Sequence, residues 1–293
     1  IVTVSSITSD TVIVIARAAA GSTATPIADD TYFTKIGNVF EEGSTSPSSS
    51  TRNPTKLYNY NQIFKTSYRI TETAKLTKTR TGDPLKNDKK RKMFDHSVAM
   101  ELAFLFGKRS ETTGAAGKPQ RYLGGMLYMM ATYASTRITA FTTTPTEKTL
   151  LDAIYPIWDY STDAGDERIC FGGNGALNSL NQLAKDSSST RVNFSGKIET
   201  AYGMKLQEWI FPQGRIFVKT HPLFNTHSRF TNDLLIFDPS VMIYRYMRDT
   251  KSQDNIQAND ADEQKGQWLT ECGLEMEHAK TACWLSNFVV PGA

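Results

Sequence analysis

The run Asp88-Lys89-Lys90-Arg91-Lys92-Met93-Phe94-Asp95-His96-Ser97-Val98-Ala99-Met100-Glu101-Leu102-Ala103-Phe104-Leu105-Phe106-Gly107-Lys108-Arg109 decides the fold. Phe94, Val98, Leu102 and Leu105 recur at helical spacing, and charged residues fill much of the rest. That pattern predicts a long amphipathic helix over 88–109 with one apolar stripe. Asn87 or Asp88 is placed to cap its start. The helix is expected to stop between Gly107 and Ser110, ahead of a loop holding Gly114, Gly117 and Pro119. Four basic residues, Lys89 to Lys92, crowd its first turns and oppose the positive end of the helix dipole. Three readings of that cluster stand side by side: a solvated helix end, salt bridges to a neighbouring chain, or contact with nucleic acid.

Upstream of the helix, residues 1–83 are β-rich. Ile1-Val2-Thr3-Val4 and Thr11-Val12-Ile13-Val14-Ile15 are β-branched runs separated by turn residues. Tyr32 to Phe40 is expected to add a strand. Glu42 to Pro54 is rich in Ser, Thr and Pro and has too little apolar matter to pack, so it is expected to be an exposed loop. Ile63 to Leu76 is expected to form one long, half-exposed strand with a polar tip over Thr77 to Asp83.

Downstream, Met126 to Tyr133 is an apolar run of undecided type. Pro145 to Tyr160 predicts a helix that Pro156 ends or kinks. Ile169-Cys170-Phe171 is a short buried strand, and Asn174 to Lys185 a helix. Strands follow at Lys197–Thr200, Met204–Ile210 and Arg215–Thr220, with turns at Tyr202-Gly203 and Pro212-Gln213-Gly214. Leu234 to Tyr246 is expected to be a strand continuing past Asp238-Pro239, and Thr250 to Gln264 a loop. Trp268–Met276 and Thr281–Val290 are expected to form two final strands joined near Glu277-His278. This order implies α+β with antiparallel sheet rather than a doubly wound sheet. No internal repeat is evident.

Composition narrows the function. The 293 residues carry 33 basic against 30 acidic side chains, a net charge of +3, and are 39% apolar. A core of good size is affordable, but the balance is not that of a dedicated nucleic-acid binder. No apolar run is long enough for a membrane helix. Cys170, Cys272 and Cys283 are too few for a disulfide framework or zinc cluster and read as reduced packing residues. The sequence begins at Ile1 without Met, so an upstream segment is either removed or not included, and no signal peptide is visible.

Catalytic and metal motifs are weak. His96, His221, His227 and His278 lack ligand spacing and read as structural or solvated. Gly172-Gly173-Asn174-Gly175 before a helix reads as a tight strand-to-helix turn or, less specifically, as an anion cradle. It lacks both the phosphate-loop and the dinucleotide pattern. There is no nucleophile elbow. Asp163 and Asp166 lie in polar, solvated sequence. No catalytic, cofactor-binding or metal residue is assigned.

Several separated motifs resemble one group of tailed-phage major capsid proteins. Ile36-Gly37-Asn38, Glu41-Glu42-Gly43 and Asn59-Tyr60-Asn61-Gln62-Ile63-Phe64 look like that group's leading part. A Thr-rich strand over Tyr68 to Leu76, the charged helix and an Arg121-Tyr122-Leu123-Gly124-Gly125 loop follow in the same order. So do the Arg168 to Lys185 strand and helix, Ile236-Phe237-Asp238-Pro239, and a Glu271 to Trp284 strand pair. The resemblance implies the Hong Kong 97-type coat fold, shared with herpesviruses and encapsulins. Residues 1–85 would then supply an enlarged extended loop reaching over a neighbour. Residues 86–145 and 239–293 would form the peripheral domain on the 88–109 spine helix, and 146–238 the axial domain.

That resemblance implies a shell subunit of a phage head, assembling as hexamers and pentamers around double-stranded DNA. Its partners would be many copies of itself, a portal, decoration proteins, and DNA held by weak non-specific contacts. Candidate subunit-interface residues are Lys89, Lys90, Arg91, Lys92, Tyr60, Gln62, Phe64 and Arg69. No cofactor or membrane is implied. An encapsulin shell is the alternative. A hydrolase using His221 or His227 with Asp238, and a β-rich fibre protein, are more distant ones.

Overall fold

The computed structural model describes residues 1–288 except 10, 48, 50, 52, 54, 55, 78, 79, 81, 187–193, 202 and 203. At 184–186, 194–201 and 204–206 it describes the backbone. The expected Tyr202-Gly203 turn, the last residues of the Thr281–Val290 strand, and parts of the 42–54 loop and the 77–83 tip lie outside the described residues. Two compact units are present, Ile1–Thr55 and Lys56–Ala293.

In the first unit, β1 (Val2–Ser9) and β2 (Val12–Arg17) pair antiparallel, with register shifts after Val4 and Ile7. Nearly every residue of this hairpin is exposed. An isolated two-stranded hairpin is marginal in water because it buries so little. Tyr32 to Phe40, expected as a strand, has no regular structure. Strands need a ladder partner for their N–H and C=O groups, and this segment has none among the described residues. Its side chains stand in solvent, Tyr32 at 97% and Val39 at 95% exposure.

The second unit opens with β3 (Gln62–Thr71), whose alternation turns Phe64 and Tyr68 inward. A short helix α1 (Glu72–Leu76) replaces the end of the expected strand, capped by the Thr71 hydroxyl. The spine helix is α2 (Pro84–Phe106). It starts earlier than the expected cap because Asp83 accepts from Leu85 N at 3.0 Å and Lys86 N at 3.4 Å. Pro84 fits the first helical position, where no N–H is needed. The expected apolar stripe coincides with the buried face only at Leu105 and, in part, Val98. Phe94 is 70% exposed and Leu102 37%, while His96 and Leu105 are buried with Met100, Ala103, Phe104 and Phe106 packed beside them. Burying a histidine that is hydrogen-bonded at both nitrogens rotates the seam in a way hydropathy counting misses.

The chain continues through β4 (Ser110–Thr113), β5 (Pro119–Tyr122), α3 (Met126–Tyr133), β6 (Ile138–Ala140) and α4 (Glu147–Ile154). Pro156 does end α4, in a single 3-10 turn. Next come β7 (Glu167–Gly172), α5 (Asn174–Asp186), β8 (Phe194–Ala201), β9 (Met204–Phe211), β10 (Gly214–Thr220), α6 (Pro222–Asn225) and β11 (Leu234–Phe237). The chain closes with β12 (Met242–Gln253), β13 (Glu263–Met276) and β14 (Cys283–Ser286).

One sheet has the order β12-β13-β3, wholly antiparallel. A larger one has the order β6-β14-β11-β7-β10-β9-β8, and in it β7/β10 and β6/β14 run parallel, while β4 and β5 pair antiparallel by themselves. β11 and β12, expected as one strand, fall in different sheets. Pro239 lacks the ladder N–H, and a 3-10 turn at Pro239–Val241 separates them. β13 and β14, expected as a pair, are also divided between the sheets. The expected 250–264 loop is shorter than predicted, since β12 runs to Gln253 and β13 begins at Glu263, which leaves 254–262 without strand. The seven-stranded sheet draws β6 and β14 from segments 86–145 and 239–293, so it crosses the expected subdivision.

Two buried clusters form the core. Leu150, Ile154, Cys170, Leu180, Ile216 and Ile236 pack under the seven-stranded sheet. Phe64, Leu105, Leu123, Met130, Phe224 and Trp284 pack around the spine helix. Burying one such Leu or Phe side chain stabilises by about 1.5–3 kcal/mol. Phe106, at the end of α2, stacks on Phe230 at 4.1 Å between ring centres and meets Trp284 at 5.8 Å. This aromatic cluster fixes the helix end against the seven-stranded sheet.

Candidate assembly interface

The spine helix is stitched to all three strands beneath it. His96 Nδ1 lies 3.0 Å from the Thr66 hydroxyl on β3, and Nε2 lies 2.8 Å from the Thr270 hydroxyl on β13. Thr270 in turn meets Thr250 of β12 at 2.8 Å. Burial holds the His96 imidazole below its ordinary pKa, so it is neutral and works as a hydrogen-bonding link.

The second turn of the helix is anchored through Lys89. Its ammonium sits 2.9 Å from the Asp254 carboxylate and 3.2 Å from Ser252, between the rings of Tyr68 and Trp268. Tyr68 donates its hydroxyl to the same carboxylate, and Trp268 donates to the Lys89 carbonyl at 3.1 Å. These hydrogen bonds hold Asp254 below the usual carboxylate range and raise Lys89. Of the basic cluster, then, Lys89 is used inside the chain. Lys92 pairs with Asp95 one turn on at 3.5 Å. Lys90 and Arg91 point outward, with no ion pair among the described residues.

At the other end of the helix the capsid-like motifs converge. Asn59 uses its whole amide. Nδ2 donates to Gly124 O at 2.8 Å and Leu274 O at 2.7 Å, and Oδ1 accepts from Gly124 N at 2.7 Å and Tyr60 N at 2.9 Å. Gln62 Oε1 accepts from Leu123 N at 3.1 Å. A Cβ on Gly125 would lie 2.6 Å from Ala103 O and 2.7 Å from Gly107 N, so only glycine lets this loop close on the helix end. Arg109 stacks 4.1 Å over the Tyr58 ring and donates to the Tyr58 carbonyl and, at 3.0 Å, to the Tyr133 hydroxyl. Sequence reading did not single out Arg109. The signal was its place just past the helix, among tyrosines.

The remaining candidates divide in the same way. Phe64 is buried in its own core, edge-on to His96. Tyr60 is half-buried against Tyr58, with Arg121 near its ring. Arg69 reaches Glu263 across the ladder at 3.6 Å and is mostly exposed. Outside the expected set, Met93 and Phe94 on the helix and Tyr32, Ile36, Val39 and Phe40 are large apolar side chains left in solvent.

His221, His227 and Asp238 are occupied structurally. His221 Nδ1 accepts from Leu223 N at 3.3 Å, which leaves the proton on Nε2 to donate to Glu101 at 2.9 Å. His227 caps Arg229 N at 3.1 Å. Asp238 is committed to Arg168, Thr162 and Ser240, and neither histidine is among those partners. In the Gly172 to Gly175 turn, Asn174 N is taken by Asn225 Oδ1 at 2.7 Å, and a Cβ on Gly173 would lie 2.2 Å from Thr231 O. Close packing explains those glycines. Among the described residues no group of three or more His, Cys, Asp or Glu side chains is placed to hold a metal. No described helix is long and apolar enough to cross a membrane.

A long helix stitched onto a three-stranded antiparallel sheet, with a separate seven-stranded sheet at its far end, is the Hong Kong 97-type coat fold. The family model of the SU10 major capsid protein matches residues 3–288, and the chain belongs to that family of virion-shell proteins. It is 29% identical over 204 residues to the major capsid protein of Pseudomonas phage PaMx41, covering 68% of this chain and 48% of that protein. The chain thus spans about half the length of that curated relative. Among solved structures, the fold is similar to Mycobacterium phage Patience, with a TM-score of 0.50 and 8% identity over 85% of this chain and 78% of that one. It is equally similar to the holo-SrpI encapsulin complex from Synechococcus elongatus PCC 7942, with a TM-score of 0.50 and 9% identity over 78% and 81%. At such identity these two likenesses speak for the fold alone.

Proposed function

We propose that the chain is the structural subunit of a phage head, assembling as hexamers and pentamers into a closed shell around double-stranded DNA. The observation that carries this is the family match over residues 3–288. The subunit has no enzymatic role; its work is to hold neighbours. The leading residues 1–85 serve as the extended region, 86–145 with 239–293 as the peripheral domain, and 146–238 as the axial domain. The exposed apolar side chains of the first unit support a role in contacts between copies, since such surface is stable only when covered. Tyr60, Arg69, Lys90 and Arg91 are the interface candidates that remain available at the surface. A near-neutral net charge suits a container that touches DNA weakly and does not trap it. Portal and decoration proteins complete the set of partners.

Electron microscopy of the concentrated protein tests the reading. Rings of five or six subunits and closed particles are expected, and monodisperse monomers would overturn it. Particles from the native source that hold a protein cargo in place of DNA would move the chain to the encapsulin class.

A further inference from the structure

Two exposed features of this chain complement each other in charge and in apolar character. The first is the segment 29–42, Asp-Asp-Thr-Tyr-Phe-Thr-Lys-Ile-Gly-Asn-Val-Phe-Glu-Glu. Four carboxylates stand against one lysine, a net charge of −3, and none of the four is ion-paired among the described residues. Every residue of the segment is exposed, and no strand pairs with it. The second is the outward face of the spine helix near its start. There Lys86, Lys90 and Arg91 are exposed without ion pairs among the described residues, beside the uncovered Met93 and Phe94. Of the carboxylates near them, Asp95 pairs with Lys92, Asp83 caps the helix through Leu85 N and Lys86 N, and Asp88 is half-buried.

We infer that Val39-Phe40-Glu41-Glu42 of one copy docks on this helix face of a second copy. Phe40 covers Phe94, and Glu42 reaches Lys90 and Arg91. The inference rests on the shell-subunit reading and names the contact by which copies hold each other. The spacings agree. From Phe40 to Glu42 an extended chain advances about 7 Å, and from Phe94 back to Lys90 a helix advances about 6 Å. The segment therefore runs against the helix direction, with its apolar pair and acidic pair in register with theirs. A phosphate backbone would satisfy Lys90 and Arg91 but would leave Met93 and Phe94 in water. A segment carrying both acidic and apolar side chains satisfies the whole face. Such a contact is small, and a closed shell repeats it by symmetry.

The experiment uses the full chain as wild type, E41K/E42K, K90E/R91E and the fourfold combination. Subunit fold is checked by circular dichroism and thermal melting, and assembly by sedimentation and electron microscopy. Each double swap is expected to abolish sedimenting particles while the subunit melts as wild type does, and the fourfold variant to regain them. Carbodiimide coupling in shells mixed from unlabelled and isotope-labelled subunits is expected to join Glu41 or Glu42 of one label to Lys90 of the other. Wild-type shells indifferent to the swaps, a folded fourfold variant that stays unassembled, or same-label coupling alone would overturn the contact. So would K90E/R91E shells that form normally and lose only DNA. Wild-type protein that never assembles would overturn the shell reading together with it.

Discussion

Asp238→Ala is expected to destabilise the subunit by about 3–5 kcal/mol, the cost of stranding one member of a buried ion pair. Asp238 and Arg168 are 0% and 1% exposed, with the guanidinium 3.4 Å from the carboxylate. Asp238 also accepts from Ser240 N at 2.8 Å, from the Ser240 hydroxyl at 2.7 Å and from Thr162. Arg168 Nη1, the nitrogen that faces Asp238, donates to the carbonyls of Gly165 and Glu167 at 2.8 Å, Nη2 donates to Ile157 O at 3.5 Å, and Nε has no hydrogen-bond partner. Burial pushes the guanidinium pKa down, and Asp238 is the nearest group opposing that. With the carboxylate gone, carbonyl dipoles and the weaker pull of Asp166 are left to face a full charge that water cannot reach.

Arg168→Met is expected to cost less, near the lower end of that range. The Asp238 carboxylate it leaves behind keeps the Ser240 and Thr162 donors. In Arg168→Met/Asp238→Ala neither charge remains, so the double loss should fall short of the sum by about 1–3 kcal/mol. Urea unfolding followed by fluorescence reads this directly, because Trp209 and Trp284 are buried on the sheet that carries the pair. Single losses under about 1 kcal/mol, in the range of a surface pair, or strict additivity in the double variant would refute the reasoning.

Stability should fall as pH drops through the range just below about 6.5, the ordinary histidine value. His96 binds its proton less readily folded than unfolded, so the unfolded state gains protons first. Denaturation midpoints across that range should slope less in His96→Gln than in wild type. Gly125→Ala places a Cβ within 2.8 Å of three backbone atoms of the helix end and should cost about 1–3 kcal/mol, as overpacking does. A melting temperature equal to wild type would contradict that. Burial pushes the Cys272 thiol up to about 11, Cys283 up to about 12 and Cys170 higher still. Native subunits should therefore resist iodoacetamide at neutral pH and label only after unfolding, with mass spectrometry counting the adducts.

The spine helix was legible because its length and charge pattern do not depend on tertiary context. Its buried face was not, because His96 counts as polar until Thr66 and Thr270 are brought to its two nitrogens. Its start was misplaced for a local reason: Asp83-Pro84 is a cap followed by a first-position proline, and the apolar pattern begins only later. Strand existence was mostly readable, whereas pairing was not. β11 and β12 share one apolar run and part at Pro239, while the polar Glu277 to Thr281 stretch reads as a hairpin connection and instead carries the chain from one sheet to the other. Which sheet a strand joins is set by contacts more than a hundred residues away, such as Trp284 with Ile138.

The same division explains why the motifs of the resemblance gave the family, while some of the interface candidates drawn from them are committed inside the chain. Asn59, Gln62, Gly124 and Gly125 are fixed by the chain's own junction, where each polar atom has one geometric solution. A wrong side chain there leaves buried backbone groups unpaired, at about 1–3 kcal/mol each, so the segment has a readable signature. Contacts between copies carry no such constraint. They need apolar area and charge of the right sign at about the right spacing, which many sequences supply, and symmetry multiplies whatever each provides. Phe64 and Lys89 therefore looked adhesive from their motif and turned out to be structural. The side chains left uncovered, Phe94 on the helix and Val39 and Phe40 on the leading segment, sit where one folded chain has no further use for them. In a shell subunit, the frame is what sequence motifs record, and the adhesive surface is what the folded frame leaves unsatisfied.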